Sequence, residues 1–188
     1  MKALLFMLLL LVACNPLANN HRTIFQELRA EKQVVDLLGR AVSYMRIDTP
    51  ESLDSAFNAL ELARDLKPND PRVLDGLGCV EWRRKNFDLA KLFFQKALRQ
   101  NPSYDRPYAH LAVVAQHDGN TQAAKELNQI AIKLNPMNYR ARNNYAVLLM
   151  KEGLNLKARD ELLKAIHSSQ PEQSALEENL KLNLEIKP

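Results

Sequence analysis

Residues 99–138 read RQNPSYDRPYAHLAVVAQHDGNTQAAKELNQIAIKLNPMN, and this stretch decides the fold because it holds one repeat between two prolines. Those prolines, Pro102 and Pro136, are 34 residues apart, and Pro68 lies at the same distance upstream. Alanines recur with the same period in two further sets of equivalent positions, which we call columns. The first column contains Ala56, Ala90, Ala124 and Ala158, and the second contains Ala63, Ala97, Ala131 and Ala165. A period shared by three columns predicts a chain built from stacked repeats.

A 34-residue period with small residues in two columns and a proline at each joint is typical of tetratricopeptide repeats. Each such repeat consists of two antiparallel helices, A and B, which need small residues where they approach most closely. Proline ends one helix but suits the first turn of the next. The small position of helix A is expected at Gly78, Ala112 and Ala146. Gly119 and Gly153 are expected in the turn between helices A and B, with Asn86 at the same place in the preceding repeat.

The sequence therefore predicts an all-α fold, a right-handed superhelix of about four tetratricopeptide repeats followed by a C-terminal capping helix. The repeats occupy residues 22–171, with expected bounds of about 32–70, 71–104, 105–138 and 139–171. In the first repeat, Thr49 is the expected N-cap of helix B, and Pro50 is its expected first residue.

The C-terminal residues 172–188 carry the pattern of one more helix. Ser174 and Glu177 have the spacing of a capping box, and leucines recur at helical spacing behind them. Because a stack of repeats needs a terminal helix over its last exposed face, this helix is predicted to cap the fourth repeat.

The chain starts with an apolar segment that ends on a cysteine. Residues 3–12 are continuously apolar, which is typical of a signal peptide and too short to span a bilayer, where about 20 residues are needed. Residues 11–14 (LVAC) resemble the lipobox of bacterial lipoproteins. The resemblance implies a cleaved signal peptide at 1–13, acylation of Cys14 by fatty acids such as palmitate, and a tether at 14–21. The alternative is an ordinary signal peptide, but no A-x-A cleavage site is present.

The residue after this cysteine bears on location. It is Asn15 rather than the aspartate that commonly retains such lipoproteins in the inner membrane. The resemblance therefore implies a cell-envelope protein that is lipid-anchored in the outer membrane and faces the periplasm. With Cys14 acylated, Cys79 is the only remaining thiol, so the sequence predicts no intrachain disulfide.

Composition and charge narrow the range of partners. The net charge at pH 7 is +4, without the clustered basic face that is typical of nucleic-acid binders. His21, His110 and His167 show no metal-ligand spacing, and no phosphate-binding loop is present. The sequence therefore predicts protein partners and a membrane contact through lipid, with no cofactor, metal, nucleic acid or small-molecule substrate.

Repeat superhelices bind partners in a concave groove lined mainly by helices A, so the register predicts which residues meet a partner. They are Arg72, Asp75, Trp82, Arg83, Arg106, Gln116, Arg140, Asn143 and Met150. Three of them, Arg72, Arg106 and Arg140, share one repeat position. They form either a positive ladder for acidic or C-terminal groups of a peptide, or a row of solvated charges. Trp82 is either a groove anchor or, with a one-residue shift, a core aromatic.

A catalytic alternative rests on Cys79 and His117, which could serve as nucleophile and base. No glycine-rich oxyanion loop or orienting acid accompanies them in the sequence. The sequence therefore favours a protein that is not an enzyme, with Cys79 as a small packing residue.

Two stretches go beyond the general repeat pattern: YAHLAVVAQHDGN (108–120) and RARNNYAVLLMKEG (140–153). They resemble successive repeats of the type IV pilus biogenesis lipoproteins of the PilF/PilW kind. ALEENLKL (175–182) resembles the start of that family's next repeat. The family usually has more repeats than the four predicted here.

This resemblance implies a pilotin, a lipoprotein that binds secretin subunits and carries them to the outer membrane, where they assemble into the pilus exit ring. The main alternative is a general cell-envelope adaptor that scaffolds other periplasmic proteins such as cell-wall enzymes. In both cases the mechanism is stoichiometric binding of a partner peptide or helix in the groove.

Overall fold

The computed structural model describes residues 16–168 and Asn179, and all regular secondary structure within them is α-helical. This confirms the predicted all-α class. The helices α1 to α8 are Pro16–Ile47, Pro50–Leu66, Pro71–Arg83, Phe87–Gln100, Asp105–His117, Thr121–Leu134, Tyr139–Lys151 and Asn155–Ser168. The chain divides into two compact units, Met1–Pro68 and Asn69–Pro188.

The first unit contains one helix pair, in which α1 packs on α2. Its fully buried side chains include Val34 and Ala41 from α1 and Ala56, Leu60 and Ala63 from α2. The two alanines of α2 belong to the two periodic columns, which confirms that these columns mark the contact between paired helices.

The start of α2 agrees with the sequence prediction. Thr49 is the N-cap and Pro50 is the first helical residue. The side-chain oxygen of Thr49 accepts a hydrogen bond from the backbone N–H of Ser52, and the Ser52 hydroxyl oxygen accepts one from the backbone N–H of Thr49. This capping box satisfies two backbone donors that the first helical turn would leave unpaired.

Helix α1 is longer than the sequence predicted. It spans Pro16–Ile47 and therefore includes residues 16–21, for which the sequence predicts a tether. Proline suits a first helical turn, and no other proline follows before Pro50, so nothing in this segment interrupts the helix. Three apolar side chains in the first half of α1 are exposed: Ile24, Phe25 and Leu28.

The second unit contains three helix pairs. Helix α3 packs on α4, α5 on α6, and α7 on α8, while α4 contacts α5 and α6 contacts α7 between successive pairs. The first helices of the pairs begin at Pro71, Asp105 and Tyr139, at intervals of 34 residues. Every alanine of the two columns in this unit is fully buried: Ala90, Ala97, Ala124, Ala131, Ala158 and Ala165.

The small position of helix A is buried in all three pairs, as predicted. A Cβ atom added to Gly78 would lie 2.5 Å from Cε1 of Phe94, so only glycine fits opposite this ring. The other two pairs have Ala112 and Ala146 at this position, exposed by only 1% and 0%. In the last pair the helix B residue that corresponds to Phe94 is the smaller Leu162, which leaves room for the methyl group of Ala146.

The turns between helices A and B contain a residue with a left-handed backbone. Gly119 and Gly153 have φ values of +79° and +76°, as expected of glycines at this position. In the preceding repeat the residue with positive φ is Lys85, at +65°, and not Asn86. The sequence alignment of this turn was wrong by one residue, because the 34-residue period relates Gly119 to Lys85. Asn86 is instead the N-cap residue of α4.

Several predictions on the two ends of the chain lie outside the described residues: the signal peptide at 1–13, Cys14, and the capping helix at 172–188 except for Asn179. Asn179 is helical, and its side-chain amide donates a hydrogen bond of 2.7 Å to the side-chain oxygen of Asn143. No helix within the described residues combines the length and the hydropathy that a membrane crossing requires.

Candidate functional site between α3 and α5

A polar cluster lies where α3 meets α5. Asp75 and Cys79 are four residues apart on α3, so their side chains leave the same face of the helix. His110 comes from α5, the helix A of the next pair, which contacts α3 directly. The Asp75 side chain is 1% exposed and that of His110 is 16% exposed. We refer to these three residues as the Asp–Cys–His cluster.

The geometry of this cluster brings three different functional groups together. Nδ1 of His110 lies 2.7 Å from Oδ1 of Asp75. The Cys79 sulfur lies 3.7 Å from each of the two ring nitrogens of His110. On another side, the His110 ring packs against the buried Phe94 ring, with centroids 5.0 Å apart. One oxygen, sulfur or nitrogen atom from each residue lies within 4.8 Å of the others.

The second oxygen of the Asp75 carboxylate also has partners. The Tyr104 hydroxyl donates to Oδ2 at 3.5 Å, and Nε of Arg106 lies 3.7 Å from the same atom. A buried carboxylate is costly unless each oxygen is compensated by charge or hydrogen bonds. Here His110 compensates Oδ1, while Tyr104 and Arg106 compensate Oδ2.

These contacts shift the pKa values of the groups around Asp75. Burial by itself lowers the pKa of His110. The Asp75 carboxylate and the Cys79 sulfur raise this pKa by more than burial lowers it, and the net value is about 10. His110 is therefore an imidazolium at neutral pH and forms an ion pair with Asp75. Burial and the Asp75 carboxylate both raise the pKa of the Tyr104 hydroxyl, which stays protonated and can donate. For Arg106, burial lowers the pKa, but Asp75 raises it and the net shift is upward.

The structure pairs Cys79 with a histidine that the sequence analysis did not choose. The catalytic alternative joined Cys79 to His117, whereas the Cys79 sulfur lies beside His110. His117 packs on the ring of Phe87, with centroids 4.1 Å apart. His110 follows Asp75 by 35 residues, one more than the period, so a search for polar pairs one repeat plus one residue apart would have found it.

The three arginines of the predicted ladder have different surroundings. Nη2 of Arg72 contacts a carboxylate oxygen of Asp70, the N-cap of its own helix, at 2.6 Å. Arg106 contacts the Asp–Cys–His cluster. Nε of Arg140 donates to the Tyr139 hydroxyl at 2.9 Å. Arg140 also lowers the pKa of Arg106, so these two guanidinium groups are close enough to repel each other. Arg106 and Arg140 therefore share a field of positive charge, and the guanidinium of Arg72 is paired with the carboxylate of its helix cap.

Trp82 packs on the core but is not fully buried. Its ring is half-buried and packs against the rings of Phe87 and His117, with centroid distances of 4.7 and 5.6 Å. The Trp82 side chain also packs against the core cluster formed by Ala90, Phe94 and Val114. Trp82 is thus a rim residue, attached to the core and still accessible from outside.

The remaining predicted groove residues differ in exposure. The structure buries the carboxylate of Asp75 beneath α5, so Asp75 supports its neighbours rather than facing an open groove. Arg83 is exposed, and Gln116 is half-buried. Met150 is half-buried and packs against the core of the last helix pair. Asn143 is half-buried and accepts the hydrogen bond from the C-terminal segment described above.

Comparison with protein families agrees with this architecture. A family model described as a tetratricopeptide repeat matches residues 111–173, which contain most of the last two helix pairs. Residues 111–173 therefore match the tetratricopeptide repeat, and the other described helices form pairs of the same helix-turn-helix kind. Repeats of this kind in general bind protein partners on their extended concave surfaces.

Curated relatives come from several kinds of protein. The peroxisomal targeting signal receptor of Saccharomyces cerevisiae is 28% identical over 135 residues, which cover 72% of this chain and 22% of that protein. Subunit CDC16 of the anaphase-promoting complex of the same organism is 28% identical over 152 residues, which cover 76% of this chain and 18% of that protein. The type IV pilus assembly protein PilF of Pseudomonas aeruginosa is 35% identical over 114 residues, which cover 60% of this chain and 44% of that protein. The chain thus spans about a fifth of the first two relatives and less than half of PilF.

Solved structures share the fold. The crystal structure of MamA has a TM-score of 0.54 at 23% identity and covers 72% of this chain and 77% of that one. The Cut9 and Hcn1 hetero-tetramer of the anaphase-promoting complex has a TM-score of 0.63 at 18% identity. The match covers 80% of this chain and 30% of that one. At these identities the likeness concerns the stacking of helix pairs and not the partners that they bind.

Proposed function

We propose that this chain is a lipid-anchored pilotin that assists assembly of a type IV pilus secretin at the outer membrane. The observation that carries the proposal is the similarity to PilF, 35% identity over 60% of this chain. A lipobox-like sequence at residues 11–14 supports the same function, because a pilotin must be held at the membrane where its client assembles.

The similarity to PilF differs from the other relationships in two respects. It has a higher identity than the 28% of the peroxisomal receptor, and it covers a larger share of the relative, 44% against 22%. Repeat residues that the fold requires are expected in all these proteins, so we take the additional identity to PilF as a guide to function. The role of PilF in type IV pilus assembly is therefore the best guide to the class of partner.

The proposed mechanism is stoichiometric binding. An extended or helical segment of a secretin subunit lies against the helices A of the second unit. Arg106 and Arg140 supply positive charge for acidic groups of that segment, and the half-buried Trp82 offers an apolar contact at the rim. Acyl chains on Cys14 fix the location, since two or more chains give stable anchoring whereas one binds reversibly.

A second candidate is a general envelope adaptor that scaffolds other periplasmic proteins. It is favoured by the range of relatives, because a peroxisomal receptor and a subunit of the anaphase-promoting complex match longer stretches of the chain than PilF does. In this case the repeat surface is the same, but the partner is not a secretin.

The experiment that separates the two candidates uses a strain that lacks this gene. Outer-membrane fractions are run without boiling and blotted for secretin multimers. The pilotin proposal expects multimers to disappear and to return with the wild-type chain but not with Cys14→Ser. Cys79→Ser is the matched control, since it removes the other thiol and keeps the lipobox, and it is compared at an abundance equal to that of the wild type. Multimers that are unchanged in the deletion strain would overturn the proposal and leave the adaptor as the working function.

A further inference from the structure

We propose that the Asp–Cys–His cluster is a zinc site that links the second and third helix pairs of the repeat array, with Asp75, Cys79 and His110 as ligands. The proposal goes beyond a role in secretin assembly, because a metal bound here would act within the repeat stack whatever the partner is. It starts from the observation that an oxygen, a sulfur and a nitrogen atom from these residues lie within 4.8 Å of one another.

The backbone arrangement allows the three side chains to bind one metal ion. Asp75 and Cys79 are separated by four residues on α3, the spacing at which two side chains of a helix reach the same metal ion. His110 is presented by α5, so a metal would join two helices that belong to different repeats. The core ring of Phe94 lies against the imidazole, with a centroid distance of 5.0 Å, and limits the movement of His110.

Two of the three distances between donor atoms are close to those that zinc requires, and the third, from the Cys79 sulfur to the Asp75 carboxylate, is within 4.8 Å. Zinc bonds are about 2.3 Å to sulfur and about 2.0–2.1 Å to nitrogen or oxygen, so the donor atoms of a tetrahedral site are roughly 3.3–3.6 Å apart. The Cys79 sulfur is already 3.7 Å from Nδ1 of His110. Nδ1 and the Asp75 oxygen are 2.7 Å apart and must separate by less than about 1 Å to admit the ion.

The donor types select the metal. Calcium and magnesium prefer oxygen ligands, whereas a thiolate with an imidazole suits zinc and related transition metals. On binding, the thiol proton of Cys79 and the Nδ1 proton of His110 pass to solvent, because thiolate and neutral imidazole are the ligand forms. Three protein donors leave one tetrahedral position for water or for a side chain of a partner.

Two neighbours hold the carboxylate in place. The Tyr104 hydroxyl at 3.5 Å and the Arg106 guanidinium at 3.7 Å both contact Oδ2 of Asp75. They leave Oδ1, the oxygen that faces His110, as the ligand atom. Such outer contacts orient the ligands of metal sites and support their affinity.

The test is a metal titration of the purified full-length protein in a Cys14→Ser background, so that Cys79 is the sole thiol. Cobalt serves as the spectroscopic probe, since a thiolate ligand adds a sulfur-to-cobalt charge-transfer band in the near ultraviolet. We expect one cobalt ion to bind with this band, zinc to displace it, and zinc to raise the melting temperature. Cys79→Ser should abolish the band and weaken zinc binding by at least about tenfold.

The control is His117→Gln, which removes a histidine outside the cluster and should leave cobalt and zinc binding unchanged. His110→Gln tests the third ligand, and circular dichroism establishes whether this variant is folded. If His110→Gln does not fold, Cys79→Ser alone decides the test. The proposal is overturned if no sulfur-to-cobalt band appears, or if zinc binds the wild type and Cys79→Ser equally well. The deletion and Cys14→Ser arms of the secretin assay do not involve this cluster, so the two proposals fail separately.

Discussion

Gly78 and Phe94 share a space that admits only one side chain of full size. Gly78→Ala would place a methyl group 2.5 Å from the Phe94 ring, which is 2% exposed and therefore confined. We expect the free energy of unfolding to fall by about 1–3 kcal/mol, measured by urea denaturation. The double variant Gly78→Ala with Phe94→Leu should recover part of the loss, because leucine occupies this helix B position at Leu162. A Gly78→Ala protein as stable as the wild type would contradict the packing described here.

Lys85 is a second residue under local strain, since its φ of +65° is unfavourable for any side chain with a Cβ. Lys85→Gly should raise the free energy of unfolding by up to about 1 kcal/mol, the strain being partly offset by the greater freedom of glycine in the unfolded chain. Gly119→Ala, at the equivalent turn, is the reverse control and should destabilise by about 1 kcal/mol. A loss of stability in Lys85→Gly would show that the strain argument fails at this turn.

At the scale of elements, the contact between α3 and α5 depends on the charge of one histidine. The pKa of His110 is raised from 6.5 to about 10 in the folded protein. A raised pKa stabilises the fold fully below the unfolded value, and this contribution is lost as the pH rises through the folded value. We therefore expect the free energy of unfolding to fall between about pH 6.5 and pH 10, by an amount on the order of a few kcal/mol.

The measurement is a series of urea unfolding curves over this pH range in buffer with a chelator, so that no metal contributes. Cysteine, lysine and tyrosine groups also titrate there, so the informative quantity is the difference between the wild type and His110→Gln. That variant should be less stable at pH 6.5 and should show a smaller change towards pH 10. Parallel curves for the two proteins would mean that the His110–Asp75 pair contributes nothing that depends on charge.

At the scale of the whole molecule, the lipobox-like sequence makes a prediction about cell fractionation. If Cys14 carries the acyl chains, the wild-type protein should sediment with membranes and remain there in high salt, because acyl anchoring is not electrostatic. Cys14→Ser should shift most of the protein out of the membrane fraction, measured by blotting of separated fractions. Cys79→Ser should remain with the membranes. Equal membrane association of Cys14→Ser and the wild type would contradict the proposed anchor.

The elements that the sequence predicted best are those set by short-range rules. Thr49 and Pro50 mark the start of α2 because a capping residue and a proline act on the adjacent turn alone. The buried alanines follow from the period, since every repeat presents the same face to its partner helix. Two predictions failed, one on the residue at a turn and one on the start of a helix. Asn86 was placed one residue from the true left-handed position, and α1 continues through residues that were expected to form a tether.

The candidate site could be predicted only in part, because its residues come from two different helices. Periodicity placed Asp75 on the face of helix A, but the partner that neutralises it lies 35 residues away on another helix. Spacing within one helix is a sequence property, whereas the offset between two neighbouring helices A is set by how their side chains pack. The arginines show the same distinction: one period relates all three, yet Arg72 contacts Asp70 of its own helix cap, whereas Arg106 contacts Asp75 of the preceding repeat.

The sequence by itself determined that this protein is a series of helix pairs, where each pair is joined, and which alanines are buried, because these features repeat every 34 residues and follow from local backbone preferences. The tertiary structure alone decided that Asp75, Cys79 and His110 meet, that Trp82 lies at the rim of the core, and that Phe94 excludes any side chain at Gly78. These outcomes depend on contacts between helices that are distant in the chain, where a shift of one residue exchanges a buried neighbour for an exposed one.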